Sequence, residues 1–285
     1  MKLTVFTPTY NRAHLLARAY ESLKSQTVKD FNWLIVDDGS TDDTKAVVDG
    51  FISEGIIPVE YHYVENGGKM RAHNRGVEHC KTEWFLCLDS DDMLVKDAVE
   101  AILGVIDHAL PEICGIIAHK GRSETELLHG VDFPKNIRRT TLYNLYLNGF
   151  KGETTLVFKT DVLRKYPFPE IEGEKYVPED YIYDKIDAEY EYLVLDRILT
   201  VCELVSEGYT DSVRKLKEDN KQAWYLYYEQ RARITPMSVL KLKYLSFYRL
   251  YAGMTSHALK ESNIPAWQKL LGIPGELFLK LGRRM

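Results

Sequence analysis

Apolar and polar positions follow two different periods along the first part of this chain. Short apolar runs rich in β-branched and aromatic residues predict four strands, at residues 2–7, 31–36, 59–64 and 84–88. The segments between them place apolar residues four positions apart, as Leu15, Ala19 and Leu23 do, and this spacing predicts helices. Asn11 is expected to cap the first of these helices. Strands that alternate with helices favour a parallel sheet with helices on its faces.

The pattern is less regular in the second part of the chain. It predicts strands at 113–118 and 154–159, helices at 96–109 and 161–166, and a late strand pair within 194–205. The mixed, polar stretch 121–152 predicts a crossover or lid, because long irregular segments are often functional. From residue 212 the chain predicts helices rich in Tyr and Lys. We therefore expect an α/β domain over residues 1–210 and a helical C-terminal extension over 211–285.

The fourth apolar run is followed at once by the carboxylates Asp89, Asp91 and Asp92. Ligands bind just beyond the carboxyl ends of the strands in open α/β sheets. Carboxylates this close disfavour each other's ionisation unless a counter-charge is present, and Mg²⁺ or Mn²⁺ bound to substrate phosphates would provide one. The alternative is an acidic turn in which Asp91 or Asp92 caps the following helix.

Two further loops carry candidate ligand-binding residues. Asp38, in an Asp-Gly turn after the second strand, could accept hydrogen bonds from a nucleobase or a ribose, although an ordinary turn also explains it. Gly67 and Gly68 allow the backbone to approach a ligand closely. The basic residues after them would hold phosphates or form a solvated helix face. They are Lys69, Arg71, His73 and Arg75.

A pair of carboxylates, Glu179 and Asp180, follows a proline and lies between Tyr176 and Tyr181. An aromatic side chain that desolvates a carboxylate raises its pKa, and a raised pKa suits a general base. A surface acidic turn is the alternative.

Composition narrows the class of protein. The formal net charge of −5 argues against general nucleic-acid binding, which needs a basic face. With 45% hydrophobic residues the chain can fill a core, and no apolar stretch approaches the ~20 residues that span a bilayer. Met1 leads directly into a strand-like run, and the four cysteines form no C-x-x-C pair. We expect a cytoplasmic protein with reduced thiols.

Five segments, in this order, closely resemble the family 2 glycosyltransferases of the GT-A fold. They are residues 7–12 (TPTYNR), 36–42 (VDDGSTD), 66–76 (NGGKMRAHNRG), 88–92 (LDSDD) and 179–180 (ED). The resemblance is specific over residues 1–110 and weaker to about 205. It implies a GT-A fold, in which a Rossmann-like, mainly parallel mixed sheet is flanked by helices. The nucleotide-sugar-binding part would span about 1–110, and the acceptor part about 111–210.

The resemblance implies a donor site at the first four motifs. Thr7, Pro8 and Tyr10 would line the nucleoside pocket, and Asp38 would recognise the base, usually uracil. The family usually has Ala-Arg-Asn where residues 72–74 of this chain are Ala-His-Asn. Which basic residue faces the donor therefore stays open. The remaining residues expected at the nucleotide sugar are Arg12, Gly68, Lys69, Arg71, His73 and Ser90.

The resemblance also implies a metal site and a base. Asp91 would bind Mn²⁺ or Mg²⁺ directly, and Asp89 would contact the ribose or the metal shell. Asp180 would be the general base, with Glu179 as its neighbour and substitute.

A metal-dependent transfer with inversion of configuration follows from these implied roles. The donor would be a nucleotide-diphosphate sugar, usually UDP-linked. The acceptor would be a hydroxyl of a glycan or lipid-linked saccharide in bacterial cell-surface polysaccharide biosynthesis. One alternative is a sugar-phosphate nucleotidyltransferase, which would need a glycine-rich basic loop that residues 7–12 lack. The other is a non-catalytic sugar-nucleotide or glycan-binding module.

The C-terminal region combines aromatic, aliphatic and basic residues. One predicted helical stripe contains Leu240, Tyr244, Phe247, Tyr248 and Tyr251. The tail contains Trp267, Leu270, Leu271, Leu277, Phe278 and Leu281, and it ends with Lys280, Arg283 and Arg284. Such a region could lie on the inner face of the cell membrane as a peripheral anchor. The alternative is packing on the catalytic domain or in a homodimer.

Overall fold

The structure is a computed structural model that describes residues 1–107, 109–202, 213–255 and 262–282. The chain forms two units. The first comprises Met1–Pro167 and Ile182–Ser206, and the second comprises Phe168–Tyr181 and Glu207–Met285. The segment 168–181, which the sequence placed in the α/β domain, therefore belongs with the C-terminal helices.

The first unit holds the strands and the helices that alternate with them. Its strands are β1 (Leu3–Thr9), β2 (Phe31–Asp37), β3 (Val59–Tyr63), β4 (Trp84–Cys87), β5 (Asp92–Leu94), β6 (Ile113–Gly121), β7 (Arg139–Thr140), β8 (Thr154–Lys159) and β9 (Glu191–Cys202). Its helices are α1 (Ala13–Lys24), α2 (Thr44–Glu54), α3 (Lys69–His79), α4 (Ala98–Ile106), α5 (Leu142–Leu147) and α6 (Thr160–Lys165). Helix α7 (Asp180–Ile186) contributes residues to both units.

Among the described residues the strands form one mixed sheet in the order β3-β2-β1-β4-β8-β6-β9-β5, with β7 beside β9. β1 lies between β2 and β4 and is parallel to both, and β2 is parallel to β3. β8 runs antiparallel to its neighbours β4 and β6. The predicted fold class, a mixed α/β sheet with flanking helices and a helical C-terminal region, is confirmed.

Close packing joins the helices to the parallel strands. The rings of Tyr20 and Phe51, from α1 and α2, stack at 4.1 Å and lie beside Trp33 of β2. Gly76 lets α3 approach β1, because a Cβ at that position would lie 2.4 Å from the ring of Phe6. These contacts fix the helices that follow each strand and hence the loops that carry the predicted motifs.

Several predicted boundaries differ from the structure. The acidic run leads into the short strand β5, which pairs with β9, before the helix α4 begins. The predicted strand pair within 194–205 is the single strand β9, and residues 203–205 lie outside the described part. The predicted lid 121–152 contains β7 and α5. These differences arise because pairing between distant strands, rather than local periodicity, decides where short elements form.

The second unit is helical where the structure describes it. Its helices are α8 (Val213–Asp219), α9 (Lys221–Ile234), α10 (Val239–Ala252), α11 (Ala266–Leu271) and α12 (Ile273–Gly282). Its core is largely tyrosine, with Tyr225, Tyr228, Tyr248 and Tyr251 buried between α9 and α10. No helix in the described ranges is long and apolar enough to cross a membrane.

Segment 168–181 is attached to the start of α9 by hydrogen bonds between side chains and backbone N–H groups. The Glu174 carboxylate accepts hydrogen bonds from the N–H groups of Gln222 and Ala223, at 2.7 and 2.8 Å. Asn220 accepts the N–H groups of Lys175 and Tyr176 at 2.9 and 3.0 Å. A carboxylate at a helix N-terminus satisfies otherwise unpaired N–H groups and favours the helix dipole.

Candidate active site

The loops after β1, β2 and β4 lie at one edge of the sheet. The strands are parallel neighbours, so their carboxyl ends point the same way. The N–H of Asp38 donates to the carbonyl of Thr9 at 2.8 Å, and the N–H of Leu88 donates to that of Phe6 at 2.8 Å. This edge therefore gathers the first motif, the Asp-Gly turn and the acidic run.

Asp38 holds the glycine loop in place. It is buried, and its carboxylate accepts the N–H groups of Gly67 and Gly68, each at 2.8 Å, and an amide hydrogen of Asn66 at 3.1 Å. Gly68 has a φ of +92°, which a residue with a Cβ rarely adopts. A Cβ on Gly39 would lie 2.9 Å from the backbone N of Asn66. Asp38 thus positions the two loops, and its recognition of a base stays a prediction.

The first motif presents one large exposed side chain at this edge. Tyr10 is 47% exposed, whereas Thr7 is buried and accepts a hydrogen bond from the indole of Trp33 at 2.9 Å. Pro8 is buried within β1. Among the three residues predicted to line a nucleoside pocket, the placement favours Tyr10 for direct contact and Thr7 for support.

Asn11 does not cap α1, contrary to the sequence prediction. Its φ is +52°, and its side-chain oxygen accepts the N–H of Thr41 at 2.7 Å, while its own N–H donates to Ser40 at 2.8 Å. The N-cap position is occupied by Arg12, without a side-chain capping bond. Asn11 therefore ties the first motif to the turn after β2, and Arg12 is left to extend across the edge.

Each carboxylate of the acidic run lies beside a different basic side chain. Three salt bridges pair Asp89 with Lys69 at 2.9 Å, Asp91 with Arg12 at 3.0 Å, and Asp92 with Lys120 at 2.9 Å. Arg12 also donates to the hydroxyl of buried Ser90 at 3.3 Å. The protein itself thus supplies the counter-charge that the sequence argument assigned to a metal ion.

Burial and the neighbouring charges shift the pKa values of Asp89, Asp92 and Lys120. Burial alone would raise the pKa of Asp89, but the charges of Lys69, Lys120 and Arg12 lower it to about 2. The pKa of Asp92 is raised. Burial and the charge of Asp89 raise it by more than the charge of Lys120 lowers it. Burial lowers the pKa of Lys120, but the two carboxylates raise it more. Asp89 is therefore ionised whenever the protein is folded near neutral pH.

Lys120 is a charged residue of this cluster that the sequence did not single out. It lies on β6, beyond the point at which the predicted strand ended, and it reaches Asp92 across 28 positions of sequence. A lysine after an apolar run gives no local signal of its partner. Its place depends on the pairing of β6 with β9 and of β9 with β5.

We expect Lys120→Met to destabilise the folded protein by about 3 kcal/mol at pH 8, because it leaves Asp92 buried and unpaired. Urea denaturation would measure this loss. The loss should shrink as the pH falls, because Asp92, with its raised pKa, then becomes neutral. Lys45→Met, which removes an exposed i,i+4 partner of Asp49, is the control and should cost little. Equal stability of both variants at pH 8 would contradict the prediction.

The three basic residues expected at the nucleotide sugar after the glycine loop occupy different places. Lys69 contacts Asp89, and the aliphatic part of Arg71 lies over Gly67, where a Cβ would be 2.6 Å from its Cδ. His73 is buried, with its ring edge-on to Phe6 at 5.8 Å and to Phe85 at 5.4 Å. This packing favours Lys69 and Arg71 over His73 as the residues that face a donor.

Glu179 and Asp180, the two carboxylates predicted to include the general base, belong to the second unit. Asp180 begins α7, and its Oδ2 lies 2.9 Å from a guanidinium nitrogen of Arg231, whose side chain is buried. Burial raises the pKa of Asp180; Arg231 and a hydrogen bond from Tyr227 oppose the rise, and Glu179 adds to it. A carboxylate with a raised pKa can accept a proton.

Comparison with known proteins identifies similar chains. Residues 4–166 match the sequence profile described as "Glycosyl transferase family 2". The GalNAc(5)-diNAcBac-PP-undecaprenol beta-1,3-glucosyltransferase of Campylobacter jejuni is 29% identical over 177 residues, which are 59% of this chain and 55% of that protein. The teichoic acid poly(glycerol phosphate) polymerase of Staphylococcus epidermidis is 36% identical over 171 residues, 58% of this chain and 23% of that protein. The chain thus spans about half, or less, of the length of these relatives.

Solved structures share the fold at lower identity. S. aureus TarS 1-349 in complex with UDP-GlcNAc aligns with a TM-score of 0.65 and 18% identity, over 96% of this chain and 79% of that one. The mannosyltransferase PcManGT from Pyrobaculum calidifontis, in complex with GDP-Man and Mn²⁺, aligns with a TM-score of 0.60 and 19% identity, over 99% of this chain and 79% of that one. At this identity the likeness concerns the fold.

Proposed function

This chain belongs to glycosyl transferase family 2, and we propose that it transfers a sugar from a nucleotide-diphosphate sugar to a hydroxyl of a glycan or lipid-linked saccharide. The observation that carries the proposal is the sheet edge where the Asp38 loop meets the paired charges of Asp89 and Asp91. A nucleotidyltransferase and a non-catalytic binding module were the alternatives. The family assignment supports neither of them.

The donor pyrophosphate would bind among Arg12, Lys69 and the acidic run. Both basic side chains now neutralise carboxylates, and each is partly exposed. Their cationic groups suit phosphate oxygens, and they could exchange a carboxylate for a phosphate without leaving this edge. UDP is the proposed nucleotide, since Asp38 matches the motif position that the family resemblance assigns to base recognition, and the TarS structure holds UDP-GlcNAc.

A divalent cation fits this edge by the chemistry of its donors. The carboxylates of Asp91 and Asp89 are hard oxygen ligands of the kind that Mn²⁺ and Mg²⁺ prefer. When bound, such an ion would neutralise charge on the leaving diphosphate. Asp91 and Asp89 would hold the ion, and Arg12, which donates a hydrogen bond to Oδ2 of Asp91 at 3.0 Å, would bind a phosphate oxygen.

The acceptor hydroxyl would lose its proton to Asp180. In a single displacement with inversion of configuration, the oxygen attacks the anomeric carbon from the face opposite the diphosphate. Arg231 would hold the carboxylate in position, and Glu179 is the neighbouring candidate for the same role.

The setting we propose is bacterial cell-surface polysaccharide biosynthesis on the cytoplasmic side of the membrane. The two relatives named above act on an undecaprenol-linked saccharide and in teichoic acid polymerisation, as their names state. The C-terminal helices support contact with the membrane surface. Large apolar residues of α11 and α12, among them Trp267, Leu270 and Phe278, are more than half exposed. A second copy of the chain is the competing occupant of that face.

Donor binding should be visible as thermal stabilisation that requires both a UDP-sugar and Mn²⁺. At a hundredfold excess over Kd the gain is about 2.7 kcal/mol, or several degrees in Tm. Asp91→Asn should remove the Mn²⁺-dependent part of the shift. Asp161→Asn, which changes an exposed carboxylate paired with Arg164, should keep it. Release of UDP from UDP-sugars by the purified protein, measured with and without Mn²⁺, tests the activity. No shift with any nucleotide sugar and no UDP release would reject the proposal.

A further inference from the structure

A second group of metal-ligating side chains lies away from the acidic run. Nε2 of His119 is 3.1 Å from Oδ1 of Asp196 and 3.2 Å from Oδ1 of Asp132. His119 is on β6, Asp196 is on β9, and Asp132 is in the segment between β6 and β7. The three ligand atoms lie within 4.8 Å of one another. Three separate parts of the first unit thus converge on one point.

The fold builds this convergence through an irregularity in β9. Ala118 of β6 pairs with Leu195, but the next residue, His119, pairs with Ile198. Two additional residues of β9 are therefore unpaired at this point, and Asp196 is one of them. Such a bulge re-aims a side chain, here toward His119. The other carboxylate is positioned by aromatic stacking, because the ring of Phe133 lies 3.7 Å from the ring of His119.

The charges of this group are not balanced by basic side chains. Within the part of the chain that the structure describes, neither Asp132 nor Asp196 forms a salt bridge with Lys or Arg. Arg197, the neighbour of Asp196, pairs with Asp97 at 2.6 Å. The acidic run at the candidate active site differs, since each of its carboxylates has a basic partner. Two carboxylates and one imidazole leave a net negative charge that a cation would neutralise.

We propose that His119, Asp132 and Asp196 bind a divalent transition-metal ion. For bonds of about 2.1 Å, adjacent ligand atoms of an octahedral ion lie about 3.0 Å apart, close to the separations of His119 from both carboxylates. One imidazole nitrogen with two carboxylate oxygens suits Mn²⁺ or Zn²⁺ better than Mg²⁺ or Ca²⁺. His119 is buried, whereas Asp132 and Asp196 are about 70% exposed, so water can complete the coordination.

The ion would join the segment after β6 to the sheet. That segment, residues 122–138 between β6 and β7, lies within the part, about 111–210, that the family resemblance assigns to the acceptor. Without the ion, the segment meets β6 at this point through the contact of Asp132 with His119 at 3.2 Å. With the ion, it would be fixed by coordinate bonds. The site is independent of the proposed donor chemistry and holds whether or not the transferase proposal does.

The test is metal titration of the full chain, freed of metal with EDTA, with no nucleotide sugar present. Calorimetry with Mn²⁺ and with Zn²⁺ should show one site. We expect Asp196→Asn and Asp132→Asn to weaken it about tenfold or more, while Asp161→Asn does not. Because both carboxylates are exposed, the variants should keep the fold, which circular dichroism checks. Asp91→Asn should retain this site, which separates it from any metal at the acidic run.

Limited proteolysis gives a second measurement. Bound metal should slow tryptic cleavage after Lys135 and Arg138 in the wild type and in Asp161→Asn, but not in Asp196→Asn. Binding that is lost only in Asp91→Asn, or equal binding in all variants, would overturn the proposal. So would an absence of binding by the wild type, in which case the contacts of His119 with the two carboxylates only hold the segment to the sheet.

Discussion

Asp180→Asn is expected to reduce sugar transfer by about 10²–10⁴-fold and to leave the affinity for the donor nearly unchanged. An amide cannot accept the proton of the acceptor hydroxyl. The residues proposed to bind the donor lie in the first unit, whereas Asp180 lies in the second. Single-turnover transfer and equilibrium binding of the UDP-sugar would separate the two effects.

The surroundings of Asp180 provide the controls. Its carboxylate neutralises Arg231, whose side chain is 6% exposed, so the amide also leaves a buried charge less well paired. Thermal melting must therefore accompany the rate. Glu179→Gln changes the adjacent carboxylate and should retain most of the activity. A loss of transfer in Glu179→Gln, with normal turnover in Asp180→Asn, would assign the base to Glu179.

The pH dependence of transfer gives an independent check on the same residue. Burial raises the pKa of Asp180, so its protonated, inactive form persists to higher pH than for an ordinary carboxylate. The acid limb of the wild-type rate should accordingly lie above the usual aspartate range. In Asp180→Asn the residual rate should lose this limb. An acid limb that is unchanged in the variant would mean that another group titrates.

The sequence predicted the part of the site that depends on consecutive elements. Strands β1 to β4 follow one another with helices between them, and parallel neighbours place their ends at one edge whatever the details of the turns. That geometry located Asp38, Asp89 and Asp91 correctly at the same edge. Hydrophobic periodicity carries this information because each element buries a face against its immediate neighbours.

The local sequence pattern did not predict the contacts between strands that are distant in sequence. Lys120 reaches Asp92 because β9 pairs with both β6 and β5. Asp196 reaches His119 because β9 is irregular at one position, and nothing in the local pattern marks a bulge. The sequence also did not predict the side of the sheet on which the Thr7 side chain lies. A strand that is buried along its whole length has no polar face, so its alternation does not tell which side a threonine takes.

The second prediction concerns the C-terminal helices. In α12 the polar side faces inward and the apolar side faces outward. Its buried residue is Glu276, which accepts a hydrogen bond from Arg249 at 2.6 Å. A Cβ on Gly275 would lie 2.1 Å from the hydroxyl of Ser246, so the helices approach closely on this side. Leu277, Phe278 and Leu281 are 56%, 76% and 61% exposed. An apolar face of this kind on a surface helix requires a partner.

An anionic lipid surface fits this face by charge as well as by polarity. Residues 262–285 contain four Lys and Arg and one Glu, a net charge of +3 in a chain whose net charge is −5. The single Glu is the buried Glu276. Trp267 and Phe278 are aromatic residues of the type that sit at the head-group level, and neighbouring basic residues attract anionic lipids.

We therefore expect the intact chain to float with vesicles that contain anionic lipid, and Phe278→Glu/Leu281→Glu to float much less. Loss of two apolar side chains from the interface is worth about 3 kcal/mol, or roughly a hundredfold in partitioning. Ile52→Glu, at an exposed isoleucine of α2, is the matched control and should float like the wild type. A chain cut after Ser262 should behave like the double variant. If all four proteins float equally, the tail is not the anchor. If none floats and the double substitution instead converts a dimer to a monomer, a second copy of the chain covers this face.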